Sequence, residues 1–278
     1  MAKKTTDITK VGNNVPAIPD YMSDAPTGMD ELKHFVIPPR MKIVQKQAGE
    51  KLLEQFGVGD VILTPHMIAV REMGRNPKGQ PTGDIEPFLV VPLFFYPEWC
   101  TWNPISSRGQ LPSIRERSCD PTSVLARKSR DSKLRYEKHP DLDGEATMRH
   151  VEHLNFVVYL IDHELGGQPI VMSFSRGEHG TGQRWASLIR ARKAPIYGGV
   201  YTMGVSMRPG AKGDWWGFDP GNPDPTIHAP WVDKDSFDAL RQAHEELAEL
   251  HKGQLLRADY SDEDAGEADP AAVGSSEM

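Results

Sequence analysis

The residues Phe88 to Tyr96 (FLVVPLFFY) form the longest nearly unbroken apolar run of the sequence, and this run most limits what the chain can become. A membrane-spanning helix needs about 20 consecutive apolar residues, so the run is half of what a span requires. No membrane partner is therefore expected. Its β-branched and aromatic residues favour a buried strand, with Pro92 marking a sheet edge or a bulge.

Two pairs of further strands are predicted after this run. Leu154–Asp162 and Pro169–Phe174 are apolar and extended, and the glycines at 166–167 predict a hairpin turn between them. Tyr197–Met207 and Asp214–Phe218 have the same character and predict the second pair. With the first run, the chain thus has five predicted strands from Phe88 onward.

A short amphipathic helix is predicted between the two pairs, over Thr181–Lys193. Trp185, Leu188 and Ile189 share its apolar face, which assigns the Trp185 ring to the core, and its solvent face is basic. The resulting order of five strands with one helix after the third is that of an OB-fold barrel, although other small barrels share it. The predicted fold class is mainly β with short helices, an OB-fold-like five-stranded barrel (strand-strand-strand-helix-strand-strand) with a long insertion.

Composition divides the sequence into three parts. Residues 1–34 are polar and follow neither the helical nor the strand period, which predicts a flexible N-terminal arm. Residues 35–257 hold the predicted barrel domain, whose basic insertion at 97–149 is too long for an ordinary connection. Residues 258–278 contain seven acidic residues and no basic one, which predicts a disordered acidic tail.

The two cysteines, Cys100 and Cys119, are too few for a disulfide framework or a four-thiolate zinc site. The polar N-terminal segment has no apolar core of the kind that a secretory signal carries. Both features predict reduced thiols and a cytoplasmic location.

Charge is distributed unevenly along the chain. The formal net charge is −7, but residues 1–213 carry 28 basic against 23 acidic residues, and residues 214–278 carry 4 against 16. Such asymmetry between parts of a chain is typical of nucleic-acid-binding proteins. An acidic tail that only aids solubility remains an alternative explanation.

Basic residues concentrate in two stretches, Arg108–Lys138 and Arg176–Lys193. Most of them are arginines, whose planar guanidinium group can donate two parallel hydrogen bonds to a phosphate. The residues predicted to contact phosphates are Arg108, Arg115, Arg117, Arg127, Lys128, Arg130, Lys133, Arg135, Arg184, Arg190, Arg192 and Lys193.

Aromatic residues accompany these stretches. Trp99 and Trp102 lie in a predicted loop that leads into the first stretch, and adjacent Trp215 and Trp216 must point to opposite sides of a strand. Exposed rings beside cations can stack on bases, at about 1–3 kcal/mol per base. The residues predicted to stack bases are Trp99, Trp102, Tyr136 and Trp216.

No motif in the sequence supports catalysis. Gly74 and Gly79 have the spacing of a phosphate-binding loop, but the Lys and Ser/Thr that such a loop requires are missing. The prediction is a protein that is not an enzyme, with no catalytic residue, no metal site and no cofactor. The irregularly spaced histidines and acids of residues 139–163 leave a metal-dependent nuclease open as a weaker alternative.

Residues 169–203 (PIVMSFSRGEHGTGQRWASLIRARKAPIYGGVYTM) resemble a pattern in phage-encoded proteins thought to bind single-stranded DNA. The order of strands, the basic body and the acidic tail also resemble the layout of phage and bacterial single-stranded DNA-binding proteins. The resemblance covers roughly residues 41–278 and implies a role in phage DNA replication or recombination, in the cytoplasm of the host cell. The chain ends in Gly274–Met278 (GSSEM), without the apolar anchor by which such tails often dock on replication proteins, so docking by that route is in doubt.

Two hypotheses of different classes follow. The first is a non-catalytic protein that coats single-stranded DNA, whose tail competes for the DNA groove and recruits replication or recombination proteins. The second is a structural or assembly protein of a virion, or an adaptor, in which residues 97–149 bind another protein. The first requires that arginines of both basic stretches converge on one surface beside exposed rings.

Overall fold

The computed structural model describes residues 37–83, 85–104, 112–142, 146–161, 163, 166–210 and 213–260. Within them, ten strands form one mixed sheet and four α-helices pack around it. The strands are β1 Arg40–Ile43, β2 Val61–Thr64, β3 Ile68–Arg71, β4 Phe88–Trp102, β5 Ile114–Ser118, β6 Tyr136–Lys138, β7 Thr147–Leu160, β8 Ile170–Ser175, β9 Tyr201–Arg208 and β10 Trp215–Gly221. The helices are α1 Glu50–Gln55, α2 Val124–Arg130, α3 His179–Ala191 and α4 Lys234–Lys252.

The spine of the sheet is the antiparallel pair β4 and β7, and the strand order is β10-β9-β4-β7-β8-β1-β2-β3. Along its second edge, β4 pairs with β9 over Phe88–Val90 and with β5 over Trp99–Trp102. Strand β6 pairs with the start of β7. The far end of the β4–β7 pair, flanked by β5 and β6, carries the candidate site described below.

The sequence-based order of elements is confirmed over much of the chain. The class is mainly β, and the strand order with α3 between the third and fourth predicted strands is as expected. Strands β7 and β8 form the predicted hairpin, and the register of β4 against β7 shifts between Pro92 and Phe94. A bulge at this position accommodates a residue that has no N–H to give to the ladder.

A closed five-stranded barrel is not confirmed, because the sheet is open. The second edge of β8 pairs in parallel with β1, at Arg40–Val171, and does not reach β10. Side chains bond the outer edge of β10 instead. The Gln45 amide accepts from the Trp216 N–H (3.0 Å) and donates to the Trp216 carbonyl (2.7 Å), and the Glu178 carboxylate accepts from the Phe218 N–H (2.7 Å). Side chains that bond the backbone N–H and C=O groups of an edge strand allow the sheet to end there without a further strand.

Helices cover the two faces of the sheet. On one face, Trp185 of α3 is fully buried and packs against Phe156 and Phe174, as its position on the apolar face of the helix predicts. On the other face, Leu240 and Leu247 of α4 belong to a second apolar cluster. Both clusters are built from side chains that alternate along the central strands, which is why the sheet is buried on two sides.

Two predicted boundaries are wrong. The predicted insertion does not begin at residue 97, because β4 continues to Trp102. The described part of the segment then forms β5, α2 and β6 before β7 begins at Thr147. The tail does not start at Ala258, because Ala258 and Tyr260 are both 1% exposed and pack in the second apolar cluster. The predicted arm at 1–34 and residues 261–278 lie outside the described residues.

Candidate functional site

A cleft of about 310 Å³ opens at the far end of the β4–β7 pair. Its walls come from α2, from the segment after α2, from β7 and from the 3-10 turn that precedes α3. We call it the arginine cleft, and its lining residues are Ser129, Arg130, Arg135, Arg149, His150, Val151, Glu152, Arg176 and His179.

Three of its arginines lie over aromatic rings. The guanidinium carbon of Arg130 lies 5.0 Å from the centre of the Trp99 ring, and that of Arg176 lies 5.6 Å from Trp102. In the β4–β7 ladder, Trp99 lies opposite Glu152 and Trp102 opposite Arg149, so both rings lie at the end of the pair where the cleft opens. Each guanidinium is thereby held by a cation–π contact of about 0.5–2 kcal/mol.

The third pair joins a lining arginine to an exposed ring. Arg149 of β7 lies opposite Tyr136 of β6 in the sheet, with its guanidinium carbon 5.6 Å from the centre of the Tyr136 ring. Tyr136 is 42% exposed, so it is an aromatic residue of the cleft margin that solvent reaches.

Helix α2 is fixed by its own sequence and by Trp99. The Ser123 hydroxyl caps the helix by accepting a hydrogen bond from the Ala126 N–H (3.1 Å). Leu125 and Ala126 then pack on the buried Trp99 ring. This packing places Arg130, the last residue of the helix, at the rim of the cleft.

The 3-10 turn Arg176–Glu178 positions the opposite wall. Arg176 has a φ of +52°, a left-handed conformation that costs a non-glycine residue free energy and often marks functional sites. A Cβ atom added to Gly177 would lie 3.0 Å from the Trp215 ring, so glycine permits the close approach of that half-buried indole. The Glu178 carboxylate ties the turn to β10.

Glu152 is the acidic residue among the lining residues. Its carboxylate accepts from His179 Nε2 at 3.1 Å and from Arg130 Nη2 at 3.3 Å. These hydrogen bonds, that of His179 first, hold the pKa of Glu152 below its ordinary value of 4.5. Glu152 thus stays ionised at neutral pH and offsets part of the positive charge of the cleft.

A second carboxylate borders the cleft. Glu137 forms an ion pair with Lys128 and a hydrogen bond with His150 Nε2 (3.2 Å), whose other nitrogen bonds the Thr101 hydroxyl (3.0 Å). The Lys128 contact lowers the pKa of Glu137 most, and burial lowers the pKa of His150. Lys128, predicted to contact phosphate, is therefore engaged within the protein.

A buried polar network lies behind the cleft. The Trp102 indole N–H donates to His153 Nε2 (3.3 Å), which leaves the His153 proton on Nδ1, where it faces the Ser173 hydroxyl at 3.2 Å. The Tyr260 hydroxyl lies 3.4 Å from Ser173 Oγ and 3.2 Å from a carboxylate oxygen of Glu98. Burial raises the pKa of Glu98 and depresses that of His153.

The tryptophans predicted to stack bases are buried. Trp99 is 0% exposed, Trp102 2% and Trp216 4%, so none of them presents a ring to a ligand in this conformation and the prediction is wrong for all three. Trp99 and Trp102 lie in β4, not in a loop, and their rings support arginines of the cleft. The prediction for Tyr136, which is exposed, stays a prediction.

The first basic stretch contributes only part of its cations to the cleft. Arg130 and Arg135 line it, whereas Arg115 pairs with Asp141 (2.9 Å) and Arg117 bonds the Ala258 carbonyl (2.8 Å). Arg117 also reaches the buried Glu98 at 3.5 Å. Arg127 and Lys133 are exposed outside the cleft lining, and Arg108 lies outside the described residues.

The second stretch contributes its first residue, Arg176, together with His179. Arg190 follows His179 by eleven residues, which places it about 16 Å further along the helix axis. Arg192 stacks 4.0 Å from the centre of the Tyr201 ring and bonds the Pro230 carbonyl (2.7 Å), so its role there is structural. The predicted set Arg184, Arg190, Arg192 and Lys193 is thus not part of the cleft lining.

Sequence reasoning missed Arg149 and Glu152 as members of a cleft. Both stand in β7, where a single arginine among apolar and polar residues carries no local signal. Arg176 begins the second basic stretch but is not among the residues predicted to contact phosphates, although it opens a turn between a strand and a helix. No group of three or more His, Cys, Asp or Glu residues that could hold a metal ion occurs in the described part of the chain.

The fold and the site define a mainly β protein with an open mixed sheet and an arginine-lined cleft. The chain belongs to the family of Pam3 phage gp34-like proteins, whose family model matches residues 80–252, more than half of its length. All lining residues of the arginine cleft fall inside this match. No curated protein and no solved structure matches the chain.

The family match supports a phage origin, in agreement with the resemblance found in residues 169–203. Among the described residues, none of the helices is both long enough and apolar enough to cross a bilayer.

Proposed function

We propose that this protein binds single-stranded DNA without cleaving it, through phosphate contacts in the arginine cleft and base stacking at its margin. The observation that carries the proposal is the convergence of Arg130, Arg135, Arg149 and Arg176 from four separate segments on one cleft. Scattered surface arginines do not meet in this way, and guanidinium groups suit phosphate because they donate in pairs.

Single-strand binding is favoured over duplex binding by the ring at the margin. Tyr136 is exposed beside Arg149, and Trp215 is half-buried beside the turn that holds Arg176. Rings at such positions can accept the faces of unpaired bases, which a duplex keeps stacked inside. A role in phage replication or recombination, with a tail that recruits other proteins of these processes, is part of the proposal and agrees with the phage family.

The proposal is tested by fluorescence anisotropy with a labelled thymidine oligonucleotide, with its duplex form, and at two salt concentrations. We expect tighter binding of the single strand and an affinity that falls as salt rises, because each phosphate contact releases a counterion. Arg135→Gln should weaken binding, whereas Arg190→Gln, a matched exposed arginine on α3 away from the cleft, should not.

Two results would contradict the proposal. The first is an absence of oligonucleotide binding at low salt by a folded protein. The second is an equal loss of affinity in Arg135→Gln and Arg190→Gln. That result would mean that DNA binds to the positive charge of the whole surface and not to the cleft. Capture of a stoichiometric protein partner without any DNA binding would favour the assembly or adaptor hypothesis.

A further inference from the structure

The loop between β10 and α4 carries an exposed tryptophan that no part of the cleft uses. All six tryptophans of the chain lie within the described residues, and Trp231 is the most exposed of them, at 47%. Four of the others are buried, and Trp215 is half-buried. Trp231 is therefore the tryptophan whose ring a ligand can reach most readily.

The backbone of Trp231 is fixed before any ligand arrives. Trp231 forms an isolated antiparallel bridge with Gly199, the residue that leads into β9. Next to it, the Val200 N–H donates to the Pro230 carbonyl at 3.0 Å. Binding to a ring that is already ordered costs little conformational entropy, so more of the contact free energy is available as affinity.

A guanidinium group supports the indole ring. The guanidinium carbon of Arg192 lies 5.3 Å from the centre of the Trp231 ring and 4.0 Å from that of the buried Tyr201 ring. Its two terminal nitrogens donate to the Pro230 carbonyl and to Asn222 Oδ1, both at 2.7 Å. Arg192 is thus a positioning residue that holds the loop and the ring together.

The partners of Arg192 leave its charge in place. Both oxygens that it bonds are neutral, and within the described part of the chain no carboxylate forms an ion pair with it. A Cβ atom added to Gly199 would lie 2.8 Å from Arg192 Nη1, so glycine allows this close approach. A cation next to an exposed aromatic ring is the combination that single-strand-binding surfaces use.

The surroundings of the ring favour a base over an apolar protein surface. Asp224 and Asp233 belong to the same loop, and hydrogen bonds from Thr226 and Ser236 lower the pKa values of the two carboxyl groups. Both are therefore ionised at neutral pH. Charged residues are depleted in the core of protein interfaces, whereas a base that stacks on one ring needs no apolar surround. Because these acids offset the charge of Arg192, stacking and not phosphate attraction would supply the affinity here.

Helix α3 connects this ring to the arginine cleft. His179, its first residue, lines the cleft, and Arg192 directly follows its last residue. These thirteen steps along the helix correspond to about 20 Å. Phosphates of a stacked strand repeat about every 3.4 Å, so a strand of about ten nucleotides is long enough to reach from one place to the other.

From these contacts we propose that Trp231 is a second base-stacking site, which takes an unpaired base of the strand whose phosphates occupy the arginine cleft. The inference rests on the proposed function and extends it to the opposite end of α3. Arg192 acts through Trp231, because it contacts the ring and bonds the residue before it.

The test uses anisotropy with two labelled strands of about 20 nucleotides, one of thymidine and one of abasic units with the same backbone. Trp231→Ala should bind the thymidine strand about fivefold or more weakly, the lower bound for one lost stacking contact, and should bind the abasic strand as the unchanged protein does. The salt dependence should not change, since no phosphate contact is lost.

Matched variants accompany this measurement. Ile227→Ala removes a side chain of the same loop that is 71% exposed but has no ring, and it should bind both strands as the unchanged protein does. Trp231→Leu keeps an apolar side chain without a ring and replaces Trp231→Ala if a thermal melt shows that the alanine variant is unfolded.

Tryptophan emission gives a second readout. The thymidine strand should quench part of the emission of the unchanged protein. Trp231→Phe keeps a ring, so it should retain most of the affinity but lose most of this quenching, because four of its five remaining indoles are buried. Full quenching in Trp231→Phe would overturn the inference.

The outcomes separate the two proposals. Unchanged affinity of Trp231→Ala for the thymidine strand overturns the second stacking site and leaves the proposed function intact, and so does loss of a protein partner by this variant without loss of DNA binding. Equal weakening for the thymidine and abasic strands also overturns the inference, since no base would then be involved. No binding of either strand by the unchanged protein overturns the proposed function as well.

Discussion

The guanidinium carbon of Arg176 lies 5.6 Å from the centre of the Trp102 ring. The ring itself is 2% exposed, and its indole N–H is bonded to the buried His153. Trp102 therefore connects a cleft arginine to the polar network behind it. A tryptophan next to basic residues in sequence is used here to position a cation, and the same arrangement recurs at Trp99 with Arg130.

The first prediction concerns two arginines of one short helix. Arg130→Gln should weaken binding of a single strand and reduce the slope of log K against log salt by about 0.7, the value for one lost contact to a single strand. Arg127→Gln removes an equal charge three residues earlier, outside the cleft lining. It should change the affinity and the salt slope less than Arg130→Gln does. Salt titrations of the two variants by anisotropy measure the difference, and identical slopes would exclude a specific role for Arg130.

A second prediction concerns the exposed ring at the margin. Tyr136→Ala should weaken single-strand binding by about 1–2 kcal/mol, because a base loses its stacking partner. Tyr136→Phe keeps the ring and should bind as the unchanged protein does. A hydroxyl-dependent loss, seen equally in both variants, would mean that Tyr136 acts by hydrogen bonding and not by stacking.

Glu152 provides a third prediction. Glu152→Gln removes the carboxylate that occupies Arg130 and His179, so binding of a polyanion should become tighter at pH 7.5. The pKa of Glu152 is lowered in the folded protein, so its pairs stabilise the fold above pH 4.5 and lose this contribution as pH falls through the lowered value. Urea unfolding at pH 7.5 should therefore show a small loss of stability in the variant, of about 1 kcal/mol, together with the gain in binding. Weaker binding in Glu152→Gln would show that the carboxylate orders the arginines rather than competing for them.

The buried Glu98 gives a prediction about pH. Burial raises its pKa above the ordinary value of 4.5, so the unfolded chain releases this proton at lower pH than the folded protein does. The wild-type protein should lose stability from this group as pH rises above 4.5 toward the raised value. Glu98→Gln stays neutral, so its free energy of unfolding should increase relative to wild type between pH 5 and pH 8.

Glu98→Ala is the matched comparison for that experiment. Alanine removes the side chain that forms hydrogen bonds with both buried Tyr260 and buried Asn155. This variant should therefore be less stable than Glu98→Gln at every pH, by about 1–3 kcal/mol. A pH-independent difference between wild type and Glu98→Gln would show that Arg117, 3.5 Å away, keeps the carboxylate ionised in the fold.

The C-terminal segment gives the last prediction. Deletion from residue 254 onward removes Leu256, Ala258 and Tyr260 from the core, so it should cost several kcal/mol more stability than deletion of residues 261–278 alone. If the acidic residues beyond 260 compete with DNA, the shorter deletion should also tighten binding, and more at low salt. Unchanged affinity at low salt would contradict that competition. Equal stability of the two shortened proteins would contradict the contribution of Leu256, Ala258 and Tyr260 to the core.

Strand and helix order could be predicted because the signals are local. The apolar run at Phe88 and the shared face of Trp185 with Leu188 each lie within one element, and the glycine turn at 166–167 joins two consecutive strands. A closed barrel could not be predicted reliably in this way, because the pairing of edge strands depends on residues that are far apart in the sequence. The Gln45 amide forms a hydrogen bond with Trp216 of β10, 171 residues away in the sequence, and no local sequence pattern predicts that contact.

The sequence by itself determined the mainly β class, the helix faces and the uneven distribution of charge, since hydrophobic periodicity and composition act over a few neighbouring residues. Only the tertiary structure decided which cations meet. Arg130, Arg149 and Arg176 converge because the long β4–β7 pair brings residues 99–102 beside 149–152, and β8 then delivers the turn before α3 to the same end of the sheet. Trp99 and Trp102 stand next to basic residues in the sequence and were therefore predicted to stack bases. Their burial depends on which strands pair with β4, and in the fold their rings lie under arginines of the cleft.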